Sequence, residues 1–366
     1  MTSPRGRRVH QLVARCEPGD AVSAHALAMR DWFATQTETT VHVERHDDRT
    51  VAIARPIEEL DCDDDALVVL HASVGGPLLD SFAAAPGRKV LVFHNFTPAH
   101  FFAEWDPPTT RVLEHSWAQL RLLAPLVEVA CGVSAFNGGL LAGAGFSDPQ
   151  VLPLVVESVD GTRDPETDDQ LTRDRVRGGA RWLYVGRISP NKAQHELVRA
   201  LAVAHAHGDA DARLWLVGSD FTPSYTAALR HLSAELGVTD AIDVTGPVSA
   251  TALRSYYAAA DVFVSCSEHE GFGVPLVEAM VAGVPVVARA AAAVPETVGD
   301  AGVLLDRSEP HTTALAVDAV LGDAVLRDEL VRRGRVRAAA FSRAALHRRL
   351  TELFGPLLDA PSPLAG

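Results

Sequence analysis

Short apolar, β-branched runs alternate with helix-like segments along the whole 366-residue chain, and that alternation leaves few folds open. In the first half the runs fall at 9–13, 40–43, 66–70, 89–93, 129–133 and 150–153. After a polar stretch the rhythm resumes at 181–185, 212–217, 241–245, 261–265, 284–288 and 302–305. Runs apolar on both faces, spaced by helices, are the pattern of parallel sheets covered on both sides. One core stops growing near about 250–300 residues, so two domains are expected. The expected fold class is α/β, two doubly wound Rossmann-like domains facing a central cleft, with ligands beyond the carboxyl ends of the strands. Boundaries are expected at 1–157 and 158–340, with 341–366 a final helix packing back on the first domain. Residues 157–180 have almost nothing to bury and read as the interdomain connection plus an exposed loop, available as part of a hinge.

Charge and cysteine content remove several function classes. The formal net charge of −14 argues against nucleic acid as a partner, whose binding rests on a broad basic surface. A diphosphate needs only one local basic pocket. The four cysteines, Cys16, Cys62, Cys131 and Cys266, are far apart and form no C-x-x-C pair, which points to a reduced, cytoplasmic setting without a zinc site. No run of about 18 apolar residues suggests a membrane span. The chain has two lysines, Lys89 and Lys192, against 31 arginines, so a lysine in a motif is unusually informative.

Residues 267–283 read S-E-H-E-G-F-G-V-P-L-V-E-A-M-V-A-G. A strand precedes them, Pro275 suits the first position of a helix, and Gly283 suits its end. Gly271 and Gly273 bare the backbone amides at a helix N-terminus, where an anion is favoured. Two carboxylates beside such a turn, Glu270 and Glu278, make sense if they address hydroxyls on another part of the same ligand, since a carboxylate accepts strong hydrogen bonds from a diol. The positive charge comes from R-W-L-Y-V-G-R-I-S-P-N-K at 181–192. It reads as a strand, a turn at Gly186, and then Arg187 and Lys192 about a helix start at Ser189 and Pro190. A guanidinium and an ammonium placed there neutralise two phosphates.

Taken together, G-R-x4-K at 186–192, A-D-V-F-V-S-C-S-E-H-E-G-F-G-V-P-L-V-E-A-M-V-A-G-V-P-V-V-A at 260–288 and P-E-T-V-G-D-A-G-V-L-L at 295–305 resemble the retaining GT-B glycosyltransferases of family four, the glycosyl transferases group 1. The family's E-x7-E signature is matched by Glu270 and Glu278. The resemblance is specific over about 180–306 and looser in the first half. It implies that Arg187 and Lys192 bind the donor diphosphate. Glu278 would hold the ribose, and Glu270 with the backbone of Gly271, Phe272 and Gly273 the donor sugar. V-L-V-F-H-N at 90–95 resembles the family strand ending in a histidine near the reaction centre, which makes His94 the first-half catalytic candidate. E-P-G-D-A-V-S-A-H-A at 17–26 stands where the family often has a glycine-rich loop over the diphosphate. It offers only Gly19, so Gly19 and Asp20 are assigned to the cleft on position.

The expected activity is retaining, metal-independent transfer of a hexose-like sugar from a nucleoside diphosphate sugar to an acceptor hydroxyl in a biosynthetic pathway. No cofactor is expected, and the acidic chain favours a small soluble acceptor. A nucleotide-sugar epimerase, a pseudo-glycosyltransferase on a non-sugar acceptor, or a non-catalytic nucleotide-sugar-binding protein would share the donor pocket. D-C-D-D-D at 61–65 precedes a strand and reads as an exposed acidic turn rather than a metal-binding D-x-D. His205 and His207 close a helix before Gly208 with no third ligand in view. The arginine-rich segment 332–349 reads as part of the final helix rather than as a membrane surface.

Overall fold

The structure is a computed structural model that describes residues 7–17, 19–45, 52–156, 161–175 and 178–359. Among the described residues, thirteen strands form two sheets: β1 (Val9–Val13), β2 (Thr39–Val43), β3 (Arg55–Pro56), β4 (Leu67–Ala72), β5 (Arg88–Phe93), β6 (Val129–Gly132) and β7 (Gln150–Val151), then β8 (Arg181–Val185), β9 (Arg213–Val217), β10 (Ile242–Gly246), β11 (Val262–Ser265), β12 (Val286–Arg289) and β13 (Gly302–Leu305). The chain divides into two compact units. One comprises residues up to 99, 108–155 and from 341 onward; the other comprises 100–107 and 156–340.

The first sheet runs β3-β2-β1-β4-β5-β6-β7, and the second β10-β9-β8-β11-β12-β13. All named strand pairs are parallel. Strand order therefore reverses between β1 and β4 in one unit and between β8 and β11 in the other, and a doubly wound sheet opens a crevice at that reversal. Leu12, Val68, Leu70, Leu91 and Phe93 pack with Phe82 and Leu120 in the first core. Trp182, Tyr184, Leu214, Leu216, Val262 and Val264 pack with Leu197 and Leu201 in the second. The final helix, Arg343–Asp359, buries Leu346, Leu350, Phe354 and Leu357, with Phe354 edge-on to Phe33 at 5.2 Å. No helix among the described residues is long and apolar enough to cross a membrane.

Three local expectations are corrected. β3 is an additional edge strand, two residues long and too short to leave a pattern. Residues 165–175 are a helix, not a loop. Asp164 starts it by accepting from Thr167 N at 2.9 Å, Glu166 and Asp168 sit favourably in its first turn, and Leu171 is its buried anchor. Residues 157–160 and 176–177, also assigned to the connection, lie outside the described residues. Residues 100–107 belong with the second unit, where Trp105 meets Tyr225 edge-on at 5.2 Å and its carbonyl accepts from Ser224 Oγ at 3.0 Å.

Candidate active site

In the second unit, the segment after β8 and the loop after β11 are stitched together. Asn191 O accepts from Glu268 N at 2.9 Å, and Asn191 Nδ2 donates to His269 O at 3.4 Å. Lys192 Nζ lies 2.6 Å from Glu270 Oε1, with side chains only 13% and 15% exposed. Lys192 ends a 3-10 turn, Pro190–Lys192, and Ala193 at φ 50° separates that turn from the helix Gln194–Ala206. The helix thus begins after Lys192, not at Ser189. Buried Gln194 donates to Arg187 O at 2.9 Å, which holds the Gly186–Arg187 turn. The Arg187 guanidinium rests over Phe221, 4.7 Å from the ring centroid.

The Gly-Phe-Gly turn is braced from behind. Phe272 is buried, its carbonyl accepts from Thr297 Oγ1 at 2.6 Å, and Glu270 O accepts from Ala293 N at 3.2 Å. The P-E-T-V segment therefore buttresses the loop. Gly273, at φ 91°, caps the helix Val274–Ala282 in the left-handed region, where only glycine sits without strain. Pro275 is the second residue of that helix rather than its first, and Gly283 ends it at φ 74°. Lys192 and Glu270 thus set a positive and a negative group side by side, three residues before Gly273 in the case of Glu270.

Glu278 lies on the same helix, and its carboxylate accepts from Tyr257 Oη at 2.8 Å. Burial raises the Glu278 pKa, opposed by the Tyr257 hydrogen bond. The raised value means that the fold prefers the neutral carboxyl. Stability from this group is complete below its ordinary value of 4.5 and is lost as pH rises through the higher folded-state value. Binding of ribose hydroxyls by the ionised carboxylate, the role that the resemblance implies for Glu278, would run the other way. Nucleotide affinity is therefore expected to increase with pH across that window, while Glu278→Gln flattens the dependence and weakens binding about tenfold or more; calorimetric titrations at several pH values check both.

In the first unit, Gly19 takes φ 80° just before the helix Ala21–Phe33. The Asp20 carboxylate accepts from Ser23 N and Ser23 Oγ, both at 2.8 Å, and so caps that helix. Asp20→Ala is expected to lower stability by about 1 kcal/mol, the usual value of an N-cap, read as a lower Tm with nucleotide affinity unchanged. His94 follows β5, its N–H bonded to Ala72 O at 2.8 Å and its ring half-buried. His71 Nδ1 lies 3.0 Å from His94 Nε2, and His71 Nε2 lies 3.0 Å from Gln11 Oε1. His25 packs edge-on against both imidazoles. Burial holds the pKa of His71 and His94 well below the ordinary value and that of His25 down at about 3, so all three are neutral.

Gln11, His25, His71, Asn191 and Tyr257 were not singled out by the sequence reading. Each lies inside a strand, helix or turn pattern and becomes conspicuous only through its partner. A cavity of about 800 Å³ in the second unit, lined by Trp182, Val203, Asp261, Pro285 and Leu321 among others, is at the opposite, amino ends of the strands and meets the residues above only at Gly283, the far end of the helix Val274–Ala282.

The second-unit geometry has a counterpart among known families: residues 175–337 match the model of the glycosyl transferases group 1. That segment belongs to the glycosyl transferases group 1 family. Similar curated proteins include a D-inositol 3-phosphate glycosyltransferase of Corynebacterium glutamicum, 32% identical over 47% of this chain and 42% of the relative. A GDP-mannose-dependent alpha-(1-6)-phosphatidylinositol monomannoside mannosyltransferase of Mycobacterium tuberculosis is 34% identical over 55% of this chain and 54% of the relative. The chain thus matches about half the length of these group 1 relatives. The fold is similar throughout to that of Anabaena HepE, solved in complex with UDP and glucose, with TM-score 0.75 and 19% identity over 95% of this chain and 99% of that one. Sucrose-phosphate synthase from Thermosynechococcus elongatus gives TM-score 0.71 and 18% identity over 97% of this chain and 100% of that one. This is the GT-B fold of two Rossmann-like domains.

Proposed function

We propose that the protein transfers a sugar from a nucleoside diphosphate sugar to an acceptor hydroxyl. The observation that carries this reading is the Lys192–Glu270 pair, held by Asn191 beside the glycine turn and helix start at 270–274. A diphosphate arriving there takes Lys192 as its counter-ion and the helix amides as donors. Glu270, released from Lys192, is then free to accept from sugar hydroxyls. Arg187 extends the cationic side, Glu278 holds the ribose, and His94 serves the sugar from the first unit.

Catalysis rests on positioning and on stabilising the departing diphosphate. The bond from the anomeric carbon to the phosphate oxygen breaks, the acceptor oxygen bonds to that carbon on the same face, and the acceptor proton passes to the leaving phosphate. This order gives retention without an enzyme nucleophile. Charge neutralisation by Arg187 and Lys192 makes the reaction independent of a metal. The relatives' names direct the first assays: UDP-glucose and GDP-mannose as donors, D-inositol 3-phosphate as acceptor, with EDTA present. Release of the nucleoside diphosphate, with a product whose anomeric configuration by NMR equals the donor's, supports the reading. Binding of sugar nucleotides with no turnover for any acceptor overturns it in favour of a sensor.

A further inference from the structure

The histidine cluster of the first unit has a polarity, and that polarity says what His94 can recognise. Gln11 and His71 are fully buried, and the sheet register sets them two residues apart on neighbouring strands, Gln11 opposite Val69 and Val13 opposite His71. With its amide oxygen turned to His71, Gln11 can only accept, so His71 Nε2 donates to Gln11 Oε1 and carries the ring proton. A neutral imidazole carries one ring proton, which leaves His71 Nδ1 as an acceptor. The bond between His71 Nδ1 and His94 Nε2 then places the His94 proton on Nε2. His94 Nδ1 is left as a bare lone pair, covered from water and without a partner among the described residues. A buried acceptor without a hydrogen bond has lost its water and gained nothing in return, so this atom is poised for a ligand that supplies a donor.

We propose that Gln11 and His71 are positioning residues that hold His94 as its Nε2–H tautomer, so that His94 Nδ1 accepts a hydrogen bond from a hydroxyl of the sugar substrate. The inference rests on the reading above that His94 serves sugar transfer, and it narrows that role. An ionised phosphate oxygen has no hydrogen to give to Nδ1, so His94 is a hydroxyl reader and not a phosphate ligand. His25 supports the geometry, its ring 5.5 Å from that of His94 and 6.0 Å from that of His71, at 76° and 79° to them. His25, His71 and His94 also have ligand atoms within 4.8 Å of one another, close enough to suggest a metal site. The 3.0 Å between His71 Nδ1 and His94 Nε2 is a hydrogen-bond separation. Two nitrogens at about 2.05 Å from one tetrahedral zinc would stand about 3.3 Å apart.

The test begins with nitrogen NMR of the full chain labelled at histidine, the His94 signals being assigned by their loss in His94→Gln. The proton is expected on Nε2, and the Nδ1 resonance is expected to shift on adding UDP-glucose or GDP-mannose but not the bare nucleoside diphosphate. Hydrolysis of the preferred sugar nucleotide by water then supplies kinetics without an acceptor. His71→Leu is expected to lower kcat about tenfold with affinity for the bare nucleoside diphosphate unchanged. His71→Asn, whose amide oxygen can still accept from His94 Nε2–H, is expected to recover most of that loss. A proton on His94 Nδ1 in the unaltered protein, stoichiometric metal whose removal by chelator moves the His25, His71 and His94 signals together, or full kcat in His71→Leu would each overturn the proposal. The tautomer measurement needs no turnover, so it decides the relay even where His71→Leu fails to fold or the protein proves not to transfer sugars.

Discussion

Lys192→Ala is expected to reduce kcat/KM for sugar transfer by about two to three orders of magnitude, the largest loss from any single side chain in the site. Hydrogen bonds to charged groups contribute about 1.5–3 kcal/mol each, and a diphosphate offers Lys192 more than one oxygen. Its 2.6 Å contact with Glu270 adds a second effect, because truncation leaves a carboxylate only 15% exposed without its counter-ion. The ligand-free Tm should therefore fall as well. Glu270→Gln has the opposite sign on one readout: it removes negative charge beside the phosphates and frees Lys192. Affinity for the bare nucleoside diphosphate is expected to hold or rise while transfer from the sugar nucleotide drops. Steady-state kinetics beside binding titrations of the two variants separate these effects, and equal losses of diphosphate affinity in both would count against the division of labour.

Gly218→Ala is expected to disrupt the fold of the second unit strongly. Gly218 follows β9 at φ 146°, and an added Cβ would stand 2.1 Å from the Gly186 carbonyl oxygen. That carbonyl is held because Gly186 N bonds to Val217 O and Gly218 N to Gly246 O, so the backbone has little room to retreat. The strained φ and the clash together suggest a loss of about 3 kcal/mol or more, a Tm decrease of about 6–12 °C for a unit of this size. Because the turn that yields is the one carrying Arg187, nucleotide affinity should fall with stability. Gly19→Ala is the contrast: its φ of 80° is strained but its Cβ would meet nothing within 4 Å, so a smaller decrease is expected. Thermal melts of the two variants test the ordering.

The strands were legible because each is an apolar run long enough to stand out, from Val9–Val13 to Gly302–Leu305. Arg55–Pro56 was not, being a two-residue edge pairing. The helix Pro165–Arg175 was missed because its single described buried residue, Leu171, gives no periodicity against so many charges. In the site, Lys192, Glu270 and the glycine turn were readable from local chemistry. That Lys192 would grip Glu270 was not, since the two are joined only by a loop-to-loop approach that Asn191 enforces. Asp20 was assigned to the cleft on its position, and its bond to Ser23 N as the cap of the following helix becomes visible only in the local geometry. His94 could be picked from the end of its strand, whereas Gln11, His71 and His25 come from three other stretches of sequence and meet through sheet register and helix packing.

Titration calorimetry of UDP and GDP into the unaltered protein and Lys192→Ala, with EDTA in the buffer, tests the central claim most directly. One nucleoside diphosphate is expected to bind the unaltered protein without metal, and Lys192→Ala is expected to weaken it by about two orders of magnitude. Equal affinity in the two proteins, or no binding of either diphosphate to the unaltered chain, would contradict the claim.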